Sequence, residues 1–116
     1  MSDSPQGRQI LVEEAVAMTT AYRAVRPDNY PICETFDRHV FEALLNQADC
    51  SAIRIYYGMK VEDKTVHAIL VGVDSKNQDI VGAVGIPPGG GEGDVFEDST
   101  RCPDVCPPPS PLNLNA

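Results

Sequence analysis

The chain has 116 residues, of which 42% are hydrophobic, and a formal net charge of −8 at pH 7. This length suits one domain with a modest core. The nine basic residues form no run, which argues against nucleic acid and anionic membranes as partners because phosphate recognition needs clustered Lys and Arg. No apolar stretch reaches the roughly 18–20 residues of a membrane span, and no secretory signal pattern begins the chain. We therefore expect a cytoplasmic protein.

The first helix follows a polar leader, residues 1–9, whose composition indicates a flexible segment. Apolar residues then recur at alternating spacings of four and three, which is typical of one face of a helix; they are Leu11, Ala15, Met18, Tyr22 and Val25. Pro27 ends the pattern, because the residue before a proline is pushed out of the helical region. The sequence predicts an amphipathic helix over about Val12 to Val25.

A second helix is predicted from Arg38 to Gln47, with Asp37 as its N-cap. Phe36 and Phe41 have the spacing of a hydrophobic staple around this cap. The preceding ICETF indicates a short extended segment. The stripe that should be buried consists of Val40, Phe41, Leu44, Leu45 and Ala48.

Three strands are predicted between Cys50 and Val84, over Ala52–Tyr57, Val66–Val73 and Ile80–Val84. The polar turns between them are short, which favours antiparallel pairing because parallel strands need a long crossover. Val66–Val73 is the most apolar run and should be central, and its second face is apolar enough to suggest cover or a partner. We therefore predict an α+β domain over residues 10–86, with two helices packed on a small antiparallel sheet of about three strands.

Residues 87–116 form a Gly/Pro-rich acidic tail with a cysteine pair. Its composition favours disorder, or a segment that is merely draped on the domain, and predicts a long irregular C-terminal tail. The PPPSP segment favours a polyproline II helix, which aromatic-lined grooves on partner proteins can bind. The alternative is a solvated end without a partner.

The segments IRIYYG, LVGVD and the closing CP..C pair resemble a family of small uncharacterised bacterial proteins found mainly in Bacteroidota. The resemblance covers roughly Asp37 to Asn113. It implies a single-domain bacterial protein with a recurring cysteine-bearing tail. It implies no activity, because none is assigned to that family. The insert PPGGGEGDVFEDST departs from the pattern.

The pair Cys102 and Cys106 has the spacing of half a zinc site, since zinc takes four thiolate or imidazole ligands. Cys50 is the best candidate for a third ligand, because the tail is long enough to return to the first strand. Other candidates are Cys33, His39 and His67. The alternative is a reduced or disulfide-linked pair, and in a cytoplasmic protein we expect thiols or metal ligands rather than disulfides. A redox motif is disfavoured, because the surrounding prolines prevent a helix from starting at the pair.

Nothing in the sequence indicates a catalytic site. His39 should be a solvated helix residue, and His67 should make a polar pair with Tyr56 or Tyr57 across the hairpin. The adjacent carboxylates fall in exposed turns or helix faces, where we expect no shifted pKa; they are Glu13–Glu14, Glu62–Asp63 and Glu97–Asp98.

These observations favour a non-catalytic binding or adaptor protein of bacterial origin that acts through its sheet face or edge and its C-terminal tail. Its partner would be another protein or a second copy of the chain. The alternative is a small zinc-stabilised protein whose ligands are Cys102, Cys106 and Cys50. We predict no catalytic residues and no cofactor apart from this zinc ion.

Overall fold

The computed structural model describes residues 7–82 and 93–113. Their helices and strands are α1 (Val12–Val25), β1 (Cys33–Thr35), α2 (Arg38–Leu45), β2 (Cys50–Met59), β3 (Val66–Asp74), β4 (Asp79–Ile80) and β5 (Thr100–Cys102). The strands form two antiparallel sheets, one of β1 and β5 and one in the order β2-β3-β4. The predicted α+β class is confirmed.

The chain divides into two compact units. One unit comprises Asp28–Cys106 and holds both sheets and α2. The other comprises Met1–Pro27 and Pro107–Ala116 and holds α1. The predicted domain boundary after residue 86 lies outside the described residues.

Helix α1 has the predicted range. Acidic side chains lie in its first turn and Arg23 in its last, an arrangement that suits the helix dipole. Arg23 Nη1 donates a hydrogen bond to the Leu112 carbonyl 2.7 Å away, within the same unit. No residue of α1 is buried, and Met18 remains 66% exposed.

Strand β3 is the central strand, as its apolar composition predicts. Seven of its nine residues are buried, from both faces of the strand. Leu70 lies opposite Ile55 of β2 and is 1% exposed. It packs with Val40 and Leu44 of α2 to form the core, and Phe36, Ile53 and Phe96 pack around them.

Helix α2 begins at Arg38 as predicted and ends at Leu45, two residues before the predicted end. Asp37 occupies the N-cap position but its side chain makes no capping hydrogen bond. The predicted staple forms, because the rings of Phe36 and Phe41 meet edge to face with their centroids 6.5 Å apart. The predicted stripe is buried only in part: Val40 and Leu44 are buried, whereas Leu45 is 51% exposed.

Along the edge of β3 that faces away from β2, the backbone of every second residue is hydrogen-bonded to a different group. Val66 N–H donates to the Asn29 carbonyl, and Ala68 N–H donates to the Glu34 carboxylate. Leu70 and Phe96 exchange two backbone hydrogen bonds. Gly72 pairs with Ile80 of β4.

The small sheet of β1 and β5 arises where the sequence indicates an irregular tail. Its register places Cys33, Glu34 and Thr35 opposite Cys102, Arg101 and Thr100, respectively. Cys102 is fully buried, so this part of the tail is integrated into the domain. The predicted third strand, Ile80–Val84, is wrong at Val81 and Gly82, because β4 ends at Ile80. The last two residues of that prediction lie outside the described residues. Within residues 7–82 and 93–113, no helix is long and apolar enough to cross a membrane.

Candidate functional site

One accessible surface with binding potential is the outer edge of β2. Leu70 directs its backbone N–H and C=O toward Phe96, away from β2. In an antiparallel pair the residue opposite such a position also directs its own groups outward, and that residue is Ile55. The same argument applies to Tyr57, because Ala68 opposite it donates to Glu34. Nowhere in residues 7–82 and 93–113 does a strand pair with this edge.

Side chains along this edge are apolar and exposed. Ile55 is 50% exposed, Tyr57 74% and Met59 53%. Edge strands are commonly protected by charged side chains, Pro or a bulge. The stretch from Ala52 to Met59 contains neither Pro nor a bulge, and its one charged side chain, Arg54, is paired with Asp79. The one irregularity in the pairing lies earlier, between Cys50 and Ala52. This edge is therefore open to pairing with another strand.

Arg54 and Tyr56 lie on the face of β2 opposite to that of Ile55 and Tyr57. They form a polar cluster in which the charge of Arg54, the only charged residue of β2, is neutralised. Arg54 forms an ion pair with Asp79, and the Tyr56 hydroxyl donates to the same carboxylate. The hydrogen bond from Tyr56, followed by that from Arg54, lowers the pKa of Asp79. Hydrogen bonding to Asp79 raises the pKa of both Arg54 and Tyr56. The charge of Arg54 is therefore matched within the same chain.

A second polar cluster lies where β3 and β5 approach each other. Arg101 Nη2 donates to the Val66 carbonyl at 2.6 Å, and Nη1 lies 3.1 Å from His67 Nε2. His67 Nδ1 is buried without a hydrogen-bond partner; its nearest carboxylate oxygen, from Glu97, lies 4.0 Å away.

This cluster borders an open cavity of about 380 Å³, lined in part by Asp63, Thr65, His67 and Arg101. Thr65 Oγ1 lies 2.6 Å from Asp63 Oδ1 and 2.7 Å from His67 Nε2. The hydrogen bond from the Thr65 side chain lowers the pKa of Asp63. The expectation that the exposed carboxylates have unshifted pKa values is therefore wrong at Asp63. Because Arg101 of β5 contacts both the Val66 carbonyl and the His67 ring of β3, we assign this cluster a structural role in fastening β5 to β3.

The two histidines fall in different environments. His39 has a side chain that is 73% exposed, which confirms the prediction of a solvated helix residue. His67 lies opposite Gly58 and pairs with neither Tyr56 nor Tyr57. The predicted cross-strand pair is therefore wrong, since the nearest polar groups come from Thr65 and from β5.

The cysteines predicted as zinc ligands do not form a group of three in the described residues. Cys102 and Cys106 are linked by a disulfide, contrary to the expectation of thiols or metal ligands. Cys50 lies at the start of β2 opposite Asp74, and Cys33 is the cysteine that lies opposite Cys102. In the described residues there is no group of three or more His, Cys, Asp or Glu side chains suited to a metal ion. A zinc site of Cys102, Cys106 and Cys50 stays a prediction.

Comparisons with protein-family models, with curated proteins and with solved structures give no match for this chain. The resemblance to a bacterial family likewise stays a prediction.

Proposed function

We propose that this chain is a non-catalytic binding protein that acts by strand addition at the outer edge of β2, and that a second copy of the chain is its partner. The observation that supports this proposal is the edge around Ile55 and Tyr57, whose side chains are uncharged and with which no strand of the described residues pairs. Strand addition supplies affinity through backbone hydrogen bonds and specificity through alternate side chains. An open apolar edge is an aggregation hazard unless a partner covers it.

Two copies of β2 fit each other best in an antiparallel register centred on Ile55. This register pairs Ile55 with its own copy and Ile53 with Tyr57 of the second copy. All three residues lie at alternate positions of β2, with backbone groups directed outward, so each such pair exchanges two hydrogen bonds. On the other face, Arg54 lies beside Tyr56 of the second copy, and no two like charges are opposed. An arginine beside an aromatic ring adds a favourable cation–π contact.

Charge does not oppose a second copy at this edge. The chain carries a net charge of −8, which would oppose self-association through most of its surface. The β2 edge lacks this obstacle, because its single charge is matched by Asp79. We place the protein in the cytoplasm, on the sequence grounds given above.

The test is the oligomeric state of the full chain, measured by sedimentation velocity between about 1 and 100 μM, a range suited to micromolar dissociation constants. We expect a concentration-dependent dimer. Tyr57→Lys should weaken the dimer at least tenfold, because it places two lysines in the paired strands. Val61→Lys is the matched control, since it makes the same charge change at a side chain that is 80% exposed in the turn after β2.

A monomeric wild-type chain at 100 μM would overturn the proposal. So would equal dimer affinities for Tyr57→Lys and Val61→Lys. A second variant guards against an effect of the lysine on folding. Ile55→Pro removes one outward N–H and no hydrogen bond to β3, and proline is tolerated at such edge positions. It should abolish the dimer and retain the far-ultraviolet circular dichroism of the wild type.

A further inference from the structure

A third cysteine lies next to the disulfide. Cys33 of β1 is directly opposite Cys102 of β5, and Cys102 is bonded to Cys106. Directly opposed residues of an antiparallel pair project to the same face, with Cβ atoms about 4.5–5.5 Å apart. Their Cα separation of about 4.5–5.5 Å lies within the range of about 4.4–6.8 Å that disulfides span. Cys102 therefore has two sulfur partners within reach, one along the chain and one across the sheet.

We propose that Cys33, Cys102 and Cys106 form an internal thiol–disulfide exchange centre. The Cys33 thiolate attacks Sγ of Cys102, and a Cys33–Cys102 bond forms. The Cys102–Cys106 bond breaks, and Cys106 leaves as a thiolate that takes up the proton released by Cys33. One disulfide replaces another, so the step needs no oxidant or reductant.

The β1–β5 pairing does not depend on either disulfide. Glu34 of β1 accepts hydrogen bonds from Ala68 N–H at 3.0 and 3.1 Å. Arg101 of β5 donates to the Val66 carbonyl. Both strands are thereby attached to β3 through residues adjacent to the cysteines. Cys33 and Cys102 therefore stay in register while the sulfur bond changes partner.

The three cysteines differ in solvent exposure, and this decides which sulfur a thiol of another molecule can reach. Cys102 is fully buried, whereas Cys106 is exposed and Cys33 is partly exposed. An outside thiol therefore meets Cys106, whether it comes from glutathione or from a partner protein. Exchange with Cys33 converts the exposed end of the disulfide into a thiol. Cys50 takes no part, because it lies in the larger sheet opposite Asp74 and its Sγ donates to the Ala52 carbonyl.

The test is disulfide mapping of the full-length Cys106→Ser variant in a glutathione redox buffer. Alkylation followed by proteolysis and mass spectrometry should find a Cys33–Cys102 link, with Cys50 alkylated as the internal control. The proposal is overturned if Cys33 is alkylated to the same extent as Cys50, or if Cys102 links to Cys50 instead.

A second measurement uses the wild-type disulfide and does not depend on folding of that variant. Cleavage before Asp104 separates Cys102 from Cys106, so each sulfur is assigned to its own peptide. Iodoacetamide should trap alkylated Cys106 in the wild type in a species that holds the Cys33–Cys102 link. Cys33→Ser should reduce alkylated Cys106 at least tenfold. Equal alkylation of Cys106 in the two proteins refutes internal exchange.

Discussion

Replacing Glu34 by Ala should destabilise the chain more than any exposed carboxylate substitution. The Glu34 side chain is 9% exposed; it accepts hydrogen bonds from Ala68 N–H and Ser99 Oγ, and it lies 3.8 Å from Arg101 Nε. Removing it leaves the Ala68 donor unsatisfied and the Arg101 charge without its counterion. Breaking a buried ion pair from one side costs about 3–5 kcal/mol. An unsatisfied buried donor accounts for about 1–3 kcal/mol of such a loss, because the cost of breaking the ion pair already includes the groups that are left without a partner.

We therefore expect Glu34→Ala to lower the free energy of unfolding by about 3–5 kcal/mol, measured by urea unfolding followed by circular dichroism. Glu42→Ala is the matched control: Glu42 is 58% exposed and pairs with Arg38 at 4.0 Å, a contact worth about 0.3–0.5 kcal/mol. If the two variants differ by less than about 1 kcal/mol, which is below the lower bound for a buried pair, the Glu34 contacts do not fasten β1 to β3.

Two further predictions concern the core and the cluster on β2. Leu44→Ala should lower the free energy of unfolding by about 2–5 kcal/mol, because it opens a cavity at a fully buried side chain. Leu45→Ala, at a position that is 51% exposed, should cost much less in the same thermal or urea unfolding series, and equal losses would show that α2 is packed differently. Asp79 has a pKa lowered chiefly by the hydrogen bond from Tyr56, so its contribution to stability is complete above the ordinary carboxyl pKa and is lost as the pH falls through the lowered value. The difference in unfolding free energy between wild type and Asp79→Asn should therefore be largest at neutral pH and shrink below about pH 4; a constant difference from pH 7 to pH 2 would contradict this assignment.

Local patterns predicted the elements whose signals lie within one stretch of chain. The range of α1 follows from apolar spacing and from Pro27, and β3 follows from a continuous apolar run. The two-residue difference at the end of α2 reflects a feature that periodicity does not encode. Asn46 ends the helix although the apolar spacing continues to Ala48.

Strand β5 and the polar cluster on β3 could not be predicted in this way. β5 has three residues among prolines and acids, and its partner β1 lies near the other end of its unit. Nothing near Glu34 in the sequence shows that its carboxylate meets Ala68 N–H. For the cysteines, spacing showed that Cys102 and Cys106 are neighbours, but pairing across the sheet, and not chain length, brings Cys33 opposite Cys102. One signal could have indicated the pairing of β1 with β5: Cys, Glu and Thr of β1 match Cys, Arg and Thr of β5 when the two segments are antiparallel.

The edge of β3 that faces away from β2 is hydrogen-bonded to groups from distant parts of the chain, and this has a consequence for synthesis of the protein. The groups that close it are far apart along the chain, from Asn29 to Phe96 and Arg101. A nascent chain that has just completed β3 still lacks the last of them. Until those groups are present, this edge of β3 is open to pairing with other strands. A chain truncated after Asp74 should therefore aggregate more than the full chain.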